Sequence, residues 1–563
     1  MSKKFLSLSS IKNMLKIFGF SITLISLSAC GGGSDTSSNQ AVKHKIDGTS
    51  YAFNGTASAS LGTMIQGKNG ASIKNYGTIS QDDSASPIPI LNSLKPSNSN
   101  AAQADALMPL SLDADLPNKI FKAIDISGKS DSHNYGTINL TGKDFIPKAT
   151  DNKPCLTGMI ADGYSNATNE ASGTISLSSK ISMDANITTK DDKDMLKPWP
   201  AAMYANDHST ITNKGDISDT AQFDSSMLVS DYSSATNNGT ISLNEYASKH
   251  FMTFLNNTRT APIDGMSGIH IAMTAFNHST LVNNGAFSMQ NTKGTFLNAY
   301  QVPYKFMFAT DYSTLTNNKD ITIKGIAGQK ANKELEVFSA TYNSKIINKG
   351  KITVSGVSYT GDSNSNNHIS LLELESNSSL ENTGILTIND SHIQYGSILA
   401  IEIDSSPSTQ IINNANITIT NSSATPDSND SDTGYVEGIQ IDNSKITNTG
   451  DITFSSISGG SKQNARLIEV QGNSTVTNKG NLNINASSGV IGVKLDKPTV
   501  KLDNGGKTIT ISADSSNSCG IFASSQSQIT NMGTIQIGTQ KYTDLATAWS
   551  APAVGTNKAI CHK

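Results

Sequence analysis

The feature that most constrains the fold of this chain is a short corner motif that recurs along most of its length. The segment "DNSKITNTGDITF" (Asp442 to Phe454) has relatives in "GNSTVTNKGNLNI", "DHSTITNKGDI", "DYSTLTNNKDITI" and "NSKIINKGKITV". Each copy has a short apolar run, an Asn-x-Gly-like unit and a second apolar run. In the second half of the chain, successive copies are 26 to 35 residues apart. A fixed order repeated at this period is typical of a solenoid.

One copy reads as strand, corner, strand, corner, strand. Val436 to Ile441 alternates as a first strand, "KIT" is a second and "DITF" is a third. We expect Asn448 to hydrogen-bond its own turn and to form an amide ladder with its equivalents in neighbouring coils. We expect Gly450 to adopt a left-handed backbone conformation. The pattern therefore predicts an all-β parallel β-helix with three strands per coil and loop insertions between coils.

Seven asparagines are predicted as structural corners, namely Asn213, Asn237, Asn283, Asn348, Asn448, Asn478 and Asn531. Further copies fall at Asn75, Asn134, Asn317, Asn382, Asn413 and Asn504. The wide gaps between Asn75 and Asn134 and between Asn134 and Asn213 suggest degenerate coils, with "SGTISL" as one of their strands. Lys319 and Ala415 stand where glycine is expected, so those corners either use another turn or are strained. Stacking about fifteen coils roughly 4.8 Å apart predicts a rod of about 70 Å.

The N-terminus has the pattern of an export signal. A positive segment with four lysines precedes the apolar stretch Ile17 to Ala29, which is too short to span a bilayer as a helix. The stretch ends in "LSAC" and is followed by a Gly/Ser-rich run. These residues resemble the lipobox of bacterial lipoproteins, and the resemblance implies that Cys30 is acylated and anchors the chain to membrane lipid. The alternative is an ordinary signal peptide with a chance cysteine.

The domain organisation predicted from these features has four parts. Residues 1–29 are the lipoprotein signal peptide and 30–45 a flexible tether. Residues 46–540 are the β-helix, irregular at 86–205 and regular at 206–540, and 541–563 are a C-terminal tail or cap. A disulfide between Cys519 and Cys561 could pin that tail, which leaves Cys155 without a partner.

The I-x-N-x-G-x-I corners and strand openings such as "GIHIA" resemble the passenger domains of bacterial autotransporters, a family of right-handed parallel β-helices. The likeness covers most of Ile73 to Gly538. An autotransporter ends in a membrane barrel, whereas only about 25 residues follow Gly538, too few for even a few membrane-spanning strands. The resemblance therefore implies a lipid-anchored relative on the outer membrane, exposed at the cell surface, a passenger exported by other machinery, or a truncated gene product.

The composition disfavours several function classes. Charged residues make up 16% of the chain, against roughly 25% in ordinary globular domains. Arg259 and Arg466 are its two arginines and no basic patch is visible, so nucleic-acid binding is not expected. Because the sequence has no HExxH, CxxC, P-loop or GxGxxG motif, no metal or cofactor is expected.

Two groups of side chains are candidates for chemistry. Glu373, Glu402 and Glu469 lie on the strand before the corner; they suggest either a solvated polar face or a glycan lyase or hydrolase site. His208 and His278 occupy the position that Tyr232 and Tyr312 hold in other copies, which predicts an aromatic packing position rather than a metal site.

Asn186, Asn377 and Asn429 resemble the extended acceptor sequon of bacterial N-glycosylation. The leading hypothesis is a non-enzymatic, lipid-anchored adhesin that contacts host or neighbouring-cell glycans or proteins. The alternatives are the glycan lyase or hydrolase and a passenger remnant without its barrel.

Overall fold

The structure is a computed structural model that describes residues 42–59, 62–81, 121–141, 156–178, 200–220, 224–244, 270–290, 296–297, 302–329, 333–360, 367–404, 406–407, 410–425, 434–459 and 464–562. All of them belong to one compact unit, Ala41–Lys563. The signal peptide, Cys30, Cys155, Asn186 and Asn429 lie outside the described residues. Among the described residues, no helix is long and apolar enough to cross a membrane.

The chain visits three long sheets in the same order in each coil, and we number the coils by their strands in the first of them, sheet A. Sheet A has sixteen parallel strands. They are Val42–Asp47, Gly62–Lys68, Phe121–Ser127, Leu156–Asp162, Ala201–Ala205, Asp224–Val229, His270–Ala275, Val302–Ala309, Lys333–Ala340, Asn367–Glu375, Gly396–Asp404, Val436–Asp442, Ala465–Gln471, Val490–Leu495, Cys519–Ala523 and Lys558–His562.

Sheet B follows the first corner and has fifteen strands. They are Ser50–Phe53, Ser72–Asn75, Asp131–Asn134, Asn166–Asn169, Thr210–Asn213, Ser234–Asn237, Thr280–Asn283, Thr314–Asn317, Lys345–Asn348, Ser379–Asn382, Ile411–Asn413, Lys445–Asn448, Thr475–Asn478, Lys501–Asp503 and Ile529–Asn531.

Sheet C follows the second corner and is divided in two at the coil that contains Lys319. Its first part comprises Thr56–Ala59, Thr78–Gln81, Thr137–Leu140, Thr174–Leu177, Asp216–Asp219, Thr240–Asn244 and Ala286–Gln290. Its second part comprises Ile321–Lys324, Ile352–Ser355, Leu386–Asn389, Ile417–Thr420, Ile452–Ser455, Leu482–Asn485, Thr508–Ile511, Thr534–Ile537 and the antiparallel Gln540–Tyr542.

A short sheet D adds a fourth strand to five middle coils. Its strands are Phe296–Leu297, Ala327–Gln329, Ser358–Thr360, His392–Gln394 and Ser423–Thr425. The predicted fold class is confirmed: the protein is mostly β, with three long parallel sheets stacked as in a right-handed β-helix. The fourth strand was not predicted from the repeat.

The core is built by stacking the same inward position in successive coils. In sheet B, for example, Ile211, Leu281, Leu315 and Ile346 occupy one inward row and are fully buried. Because strand side chains alternate between faces, the Ile-x-Asn and Leu-x-Asn pattern puts the branched residue and the corner asparagine inside together. Parallel register then joins these rows into one hydrophobic core that continues through the coils.

The corner asparagines form a ladder. Thirteen of them, from Asn75 to Asn504, are fully buried, and each of the first twelve donates its Nδ2–H to the Oδ1 of the next at 2.6–2.9 Å. Asn448 also donates to the carbonyl of Gly450 at 2.8 Å. The ladder thus satisfies buried amides that would otherwise be costly to leave unpaired.

The ladder includes Asn213, Asn237, Asn283, Asn348, Asn448 and Asn478, and it differs from the sequence pattern at three places. Asn75 donates directly to Asn134, so the expectation of a coil between those two is wrong. Asn169 belongs to the ladder as the degenerate coil before Asn213, with its glycine four residues on instead of two. Asn531 lies outside it and is exposed, because a register shift between Leu502 and Asp503 displaces the last coil. Asn504 therefore donates to the carbonyl of Met532 instead.

The expectation of a left-handed Gly450 is wrong. Gly450 does not have a positive φ. A Cβ at this position would instead lie 1.9 Å from the carbonyl oxygen of Ala415 in the coil before. Close approach of stacked corners therefore explains the glycine. The backbone carbonyls of Lys319 and Ala415 accept the same hydrogen bond from the side-chain amide of their corner asparagine, at 2.8 Å. Neither residue has a positive φ.

The last coil closes the C-terminal end of the stack. Lys558–His562 pairs with Cys519–Ala523, and Cys519 and Cys561 form a disulfide with a Cα–Cα distance of 6.1 Å. The short helix Leu545–Ser550 starts at an Asp544 N-cap that accepts from the Thr547 amide. The segment after residue 540 thus contributes a strand to sheet A.

Candidate functional site

Much of the outer face of sheet A is buried, unlike the solvated polar face that was one expectation for Glu373, Glu402 and Glu469. In coils 4 to 6, the outer positions form a small apolar cluster of Ile160, Ala201, Tyr204 and Leu228. From coil 8 onward, the equivalent rows carry charged groups. Glu373 is 7% exposed and Glu469 is 1% exposed. The solvated-face interpretation is therefore wrong for these two residues.

The first charged group lies in coils 8 to 11. Lys305 is paired with Glu336, and the carboxyl groups of Glu336 and Glu373 share a hydrogen bond. Glu402 lies directly opposite Glu373 in the sheet register and is 3.0 Å from Nε2 of His368. A hydrogen bond between two carboxyl groups requires one proton, so this group holds a protonated and an ionised glutamate side by side.

The second charged group repeats the arrangement in coils 12 to 14. Arg466 Nη1 donates to Glu437 Oε1 at 2.8 Å and also to Glu469. Lys494 Nζ donates to the other oxygen of Glu469 at 2.7 Å. The Arg466 guanidinium is 4.1 Å from the ring centroid of Tyr435. Two buried carboxyl groups and two cations are thus paired within one cluster.

The pKa values of the two pairs diverge. Burial, and then the neighbouring Glu336, raise the pKa of Glu373 well above its usual value; burial and Glu469 do the same for the pKa of Glu437. Burial opposes the charge on Glu336 and Glu469 as well. For Glu336, Lys305, the hydrogen bond from Glu373 and the charge of His368 together outweigh burial, so its pKa falls to about 2. For Glu469, the hydrogen bond from Glu437 and the interactions with Arg466 and Lys494 together do the same, and its pKa also falls to about 2. Glu373 and Glu437 therefore hold the shared protons.

The three glutamates singled out in the sequence converge only in part. Glu373 and Glu402 are neighbours, whereas Glu469 lies two coils further on, with Gln440 between it and Glu402 in the same row. Sequence reasoning missed Glu336 and Glu437, which complete the pairs. The signal was an acidic residue three positions before the row that holds Glu373, Glu402 and Glu469, since Glu336 precedes Ser339 and Glu437 precedes Gln440 in this way, but alternation alone does not show that both positions face the same way.

A second surface lies at the corner between sheets A and B. Five consecutive coils place an aromatic ring there, and we call this row the aromatic stripe: Tyr164, His208, Tyr232, His278 and Tyr312. Neighbouring ring centroids are 4.8–5.2 Å apart; the first three rings are stacked and the last three meet edge to face. The three tyrosines are 55–61% exposed. The rings therefore pack on one another, as expected, but on the surface and not in the core.

The backbone beneath the stripe is held rigidly. Each ring-bearing residue has a φ between 59° and 62° and donates its amide to a corner carbonyl of the next coil. Below it, a buried serine ladder runs along the same corner; the Ser209 amide, for example, donates to Ser233 Oγ at 3.1 Å. The five rings thus project from a fixed turn that repeats in each coil.

Asn377, one of the three sequon asparagines, lies at the same corner in coil 10, with a φ of 64°. Its side chain is partly exposed. Within the described residues, no group of three or more His, Cys, Asp or Glu side chains is arranged to hold a metal ion.

Comparison with known proteins bears on the first part of the chain. Residues 25–256 match the family model of the BigA third pectate lyase-like domain. The matched segment is less than half of the 563-residue chain, so the match is a similarity and does not assign the whole chain to that family. No curated protein and no solved structure matches the chain. The similarity agrees with the stacked parallel sheets and indicates no specific activity.

Proposed function

We propose that this protein is a surface adhesin, anchored to the outer membrane through acylated Cys30 and related to the autotransporter passenger domains. The observation that carries the proposal is the repetition of uncharged hydrogen-bonding rows on the stack. In coils 5 to 8 the outward positions of sheet B read Thr-x-Thr, Ser-x-Thr, Thr-x-Val and Thr-x-Thr, and all of them are partly exposed. Many equivalent weak sites in a row favour multivalent attachment over a single tight pocket.

The test compares a deletion strain with its parent in attachment to host cells, biofilm formation and aggregation. We expect the deletion to lower attachment and the full chain to restore it. A Cys30→Ser strain should release the protein from membranes and attach as poorly as the deletion. Unchanged attachment, biofilm and aggregation in the deletion strain would refute the adhesin proposal, while retention of the Cys30→Ser protein in membranes would refute the anchor.

A glycan lyase or hydrolase is the second candidate, and one observation favours it. Glu373 holds a proton opposite the partly exposed Glu402, and a carboxylic acid beside a carboxylate is the pairing that cleaves glycosidic bonds. The burial of Glu373 speaks against access by a substrate. The purified chain should release reducing or unsaturated ends from a polysaccharide, and Glu402→Gln should abolish the release. If the unmodified chain releases none, this candidate is excluded.

A further inference from the structure

We propose that the aromatic stripe binds a linear polysaccharide whose sugar units carry no negative charge. The inference rests on the proposed function, because it names the class of ligand that an adhesin of this form would hold. It concerns Tyr164, His208, Tyr232, His278 and Tyr312 and not the buried glutamates of sheet A.

The first argument is the repeat. One ring per coil at 4.8–5.2 Å is comparable to the length that one pyranose unit occupies in an extended polysaccharide chain. A polymer lying along the stack would therefore meet a ring at each unit or nearly so. Because the first three rings are stacked on one another, the polymer would meet their exposed edges and the tyrosine hydroxyls, which donate and accept hydrogen bonds with sugar hydroxyls. Single contacts of this kind are weak, but five in register add up.

The second argument is the polar side chain beside each ring. Four of the five rings directly follow a residue with a carboxylate or an amide, namely Asp207, Asp231, Asn277 and Asp311. Such groups accept hydrogen bonds from sugar hydroxyls. Asn277 Nδ2 also donates to Asp231 Oδ1, so neighbouring coils hold these side chains in one row. Rings alternating with hydroxyl acceptors fit a sugar chain better than a purely apolar partner.

The third argument is charge. None of the residues at these five corners is Lys or Arg, and three of them are aspartates. A row of carboxylates repels polyanions, which excludes uronate polymers and nucleic acids from the stripe. The binding preference predicted here is thus opposite to the one that the name of the matched pectate lyase-like domain would suggest.

The fourth argument is that the turn does not need the rings. At the same corner position, coils 9 and 10 have Asn343 and Asn377, both with positive φ. Asparagine enters this left-handed region more readily than tyrosine does. Three of the five coils therefore keep tyrosine, the less favourable residue type, and expose it, and strain of this sort points to a function outside the fold.

The experiment uses the purified full chain and isothermal titration with three hexasaccharides: a β-1,4-glucose, a β-1,4-N-acetylglucosamine and an α-1,4-galacturonate hexamer. We expect binding to at least one uncharged hexamer, weaker binding of the corresponding trimer and no binding of the galacturonate. The variant Tyr164→Asn/Tyr232→Asn/Tyr312→Asn keeps a residue type suited to the turn and should bind about tenfold more weakly or worse.

The matched control is Tyr76→Asn/Tyr135→Asn, which removes a stacked pair of rings, one exposed and one partly buried, from the other corner, between sheets B and C. It should bind like the unmodified chain, and both variants should keep the circular dichroism spectrum of a β protein. The inference is overturned if neither uncharged hexamer binds, if galacturonate binds more tightly, or if the triple variant binds as tightly as the control. A chain that attaches to cells but binds no hexamer would overturn only the inference. Hexamer binding through the stripe with normal attachment of the deletion strain would instead overturn the adhesin proposal.

Discussion

Coils 4 to 8 and coils 9 to 14 share one backbone plan but differ in what they place on it. The earlier coils carry an apolar cluster on the outside of sheet A and aromatic rings at the first corner. The later coils carry buried charge pairs on the same sheet, and several have asparagine at the same corner. The inner rows and the asparagine ladder continue through both regions. Inside, the repeat therefore sets the fold, whereas outside each region is free to specialise.

The largest expected effect is on the charged region. Replacing Arg466 with Leu leaves Glu437 and Glu469 buried without their shared cation, so the free energy of unfolding should fall by about 3–5 kcal/mol. Urea denaturation of the purified chain measures this. The combined variant Arg466→Met/Glu437→Leu/Glu469→Leu would make this face apolar like coils 4 to 6, and it should recover most of the loss. If the combined variant is as unstable as Arg466→Leu, the two outer faces are not interchangeable.

A second experiment tests whether the ladder contributes equally to both regions. Asn213→Ala and Asn448→Ala each remove a buried amide that bonds to the coils before and after, so each should cost about 1–3 kcal/mol. Asn531→Ala, at the exposed position beyond the ladder, should stay within about 0.5 kcal/mol. Denaturation midpoints of the three variants measure this. Unequal losses at Asn213 and Asn448 would show that one region depends more on the ladder.

A third experiment uses pH to separate the regions. Because the folded-state pKa values of Glu373 and Glu437 are raised, the stability that they contribute is fully present below about pH 4.5 and is lost as pH rises through those values. Because the pKa values of Glu336 and Glu469 are lowered to about 2, the stability that they contribute is present above about pH 4.5 and is lost as pH falls towards 2. Amide protection factors, which divide out the intrinsic pH dependence of exchange, should therefore fall at both extremes in coils 9 to 13, and less so in coils 4 to 7.

Glu437→Gln is the control for this pH experiment. The amide keeps a hydrogen donor for Glu469 but cannot lose its proton, so the alkaline loss in coils 12 and 13 should disappear. An unchanged alkaline loss in this variant would show that Glu437 does not hold the shared proton.

The smallest expected effect concerns the aromatic stripe. Tyr232→Asn removes an exposed ring and places in the turn a residue that the later coils already use there, so the free energy of unfolding should change by no more than about 0.5 kcal/mol. Thermal unfolding followed by circular dichroism measures this. A loss above 1 kcal/mol would mean that ring stacking stabilises the earlier coils and would weaken the contrast between fold and surface.

The sequence predicts the interior of this molecule better than its exterior. The ladder through Asn448 follows from spacing, because equivalent positions of successive coils must stack. Asn169 escapes the pattern because two extra residues separate it from its glycine, and Asn531 fits the pattern but is displaced by a register shift. The corner motif alone shows neither of these two deviations.

The candidate sites were harder to predict for a related reason. Alternation shows which side chains of sheet A point outward, but it does not show that Glu373 is buried there or that Glu336 reaches it from the coil before. Likewise, the interchange of His208 and Tyr232 shows a shared aromatic position, whereas its exposure follows from the left-handed corner that carries it. Burial and pairing depend on neighbouring coils, which a single copy of the motif does not contain.

The direction of the asparagine ladder has a consequence for how such chains change in length. From Asn75 to Asn478 each amide donates towards the C-terminus, and from Asn134 to Asn504 each accepts from the N-terminal side, so all internal members are equivalent. Whole-coil excision or duplication, cut at the same place in two copies, would rejoin a donor to an acceptor and leave no orphaned amide. Parallel β-helices built on such a ladder can therefore gain or lose whole coils during evolution, while the disulfide-closed C-terminal coil is retained unchanged.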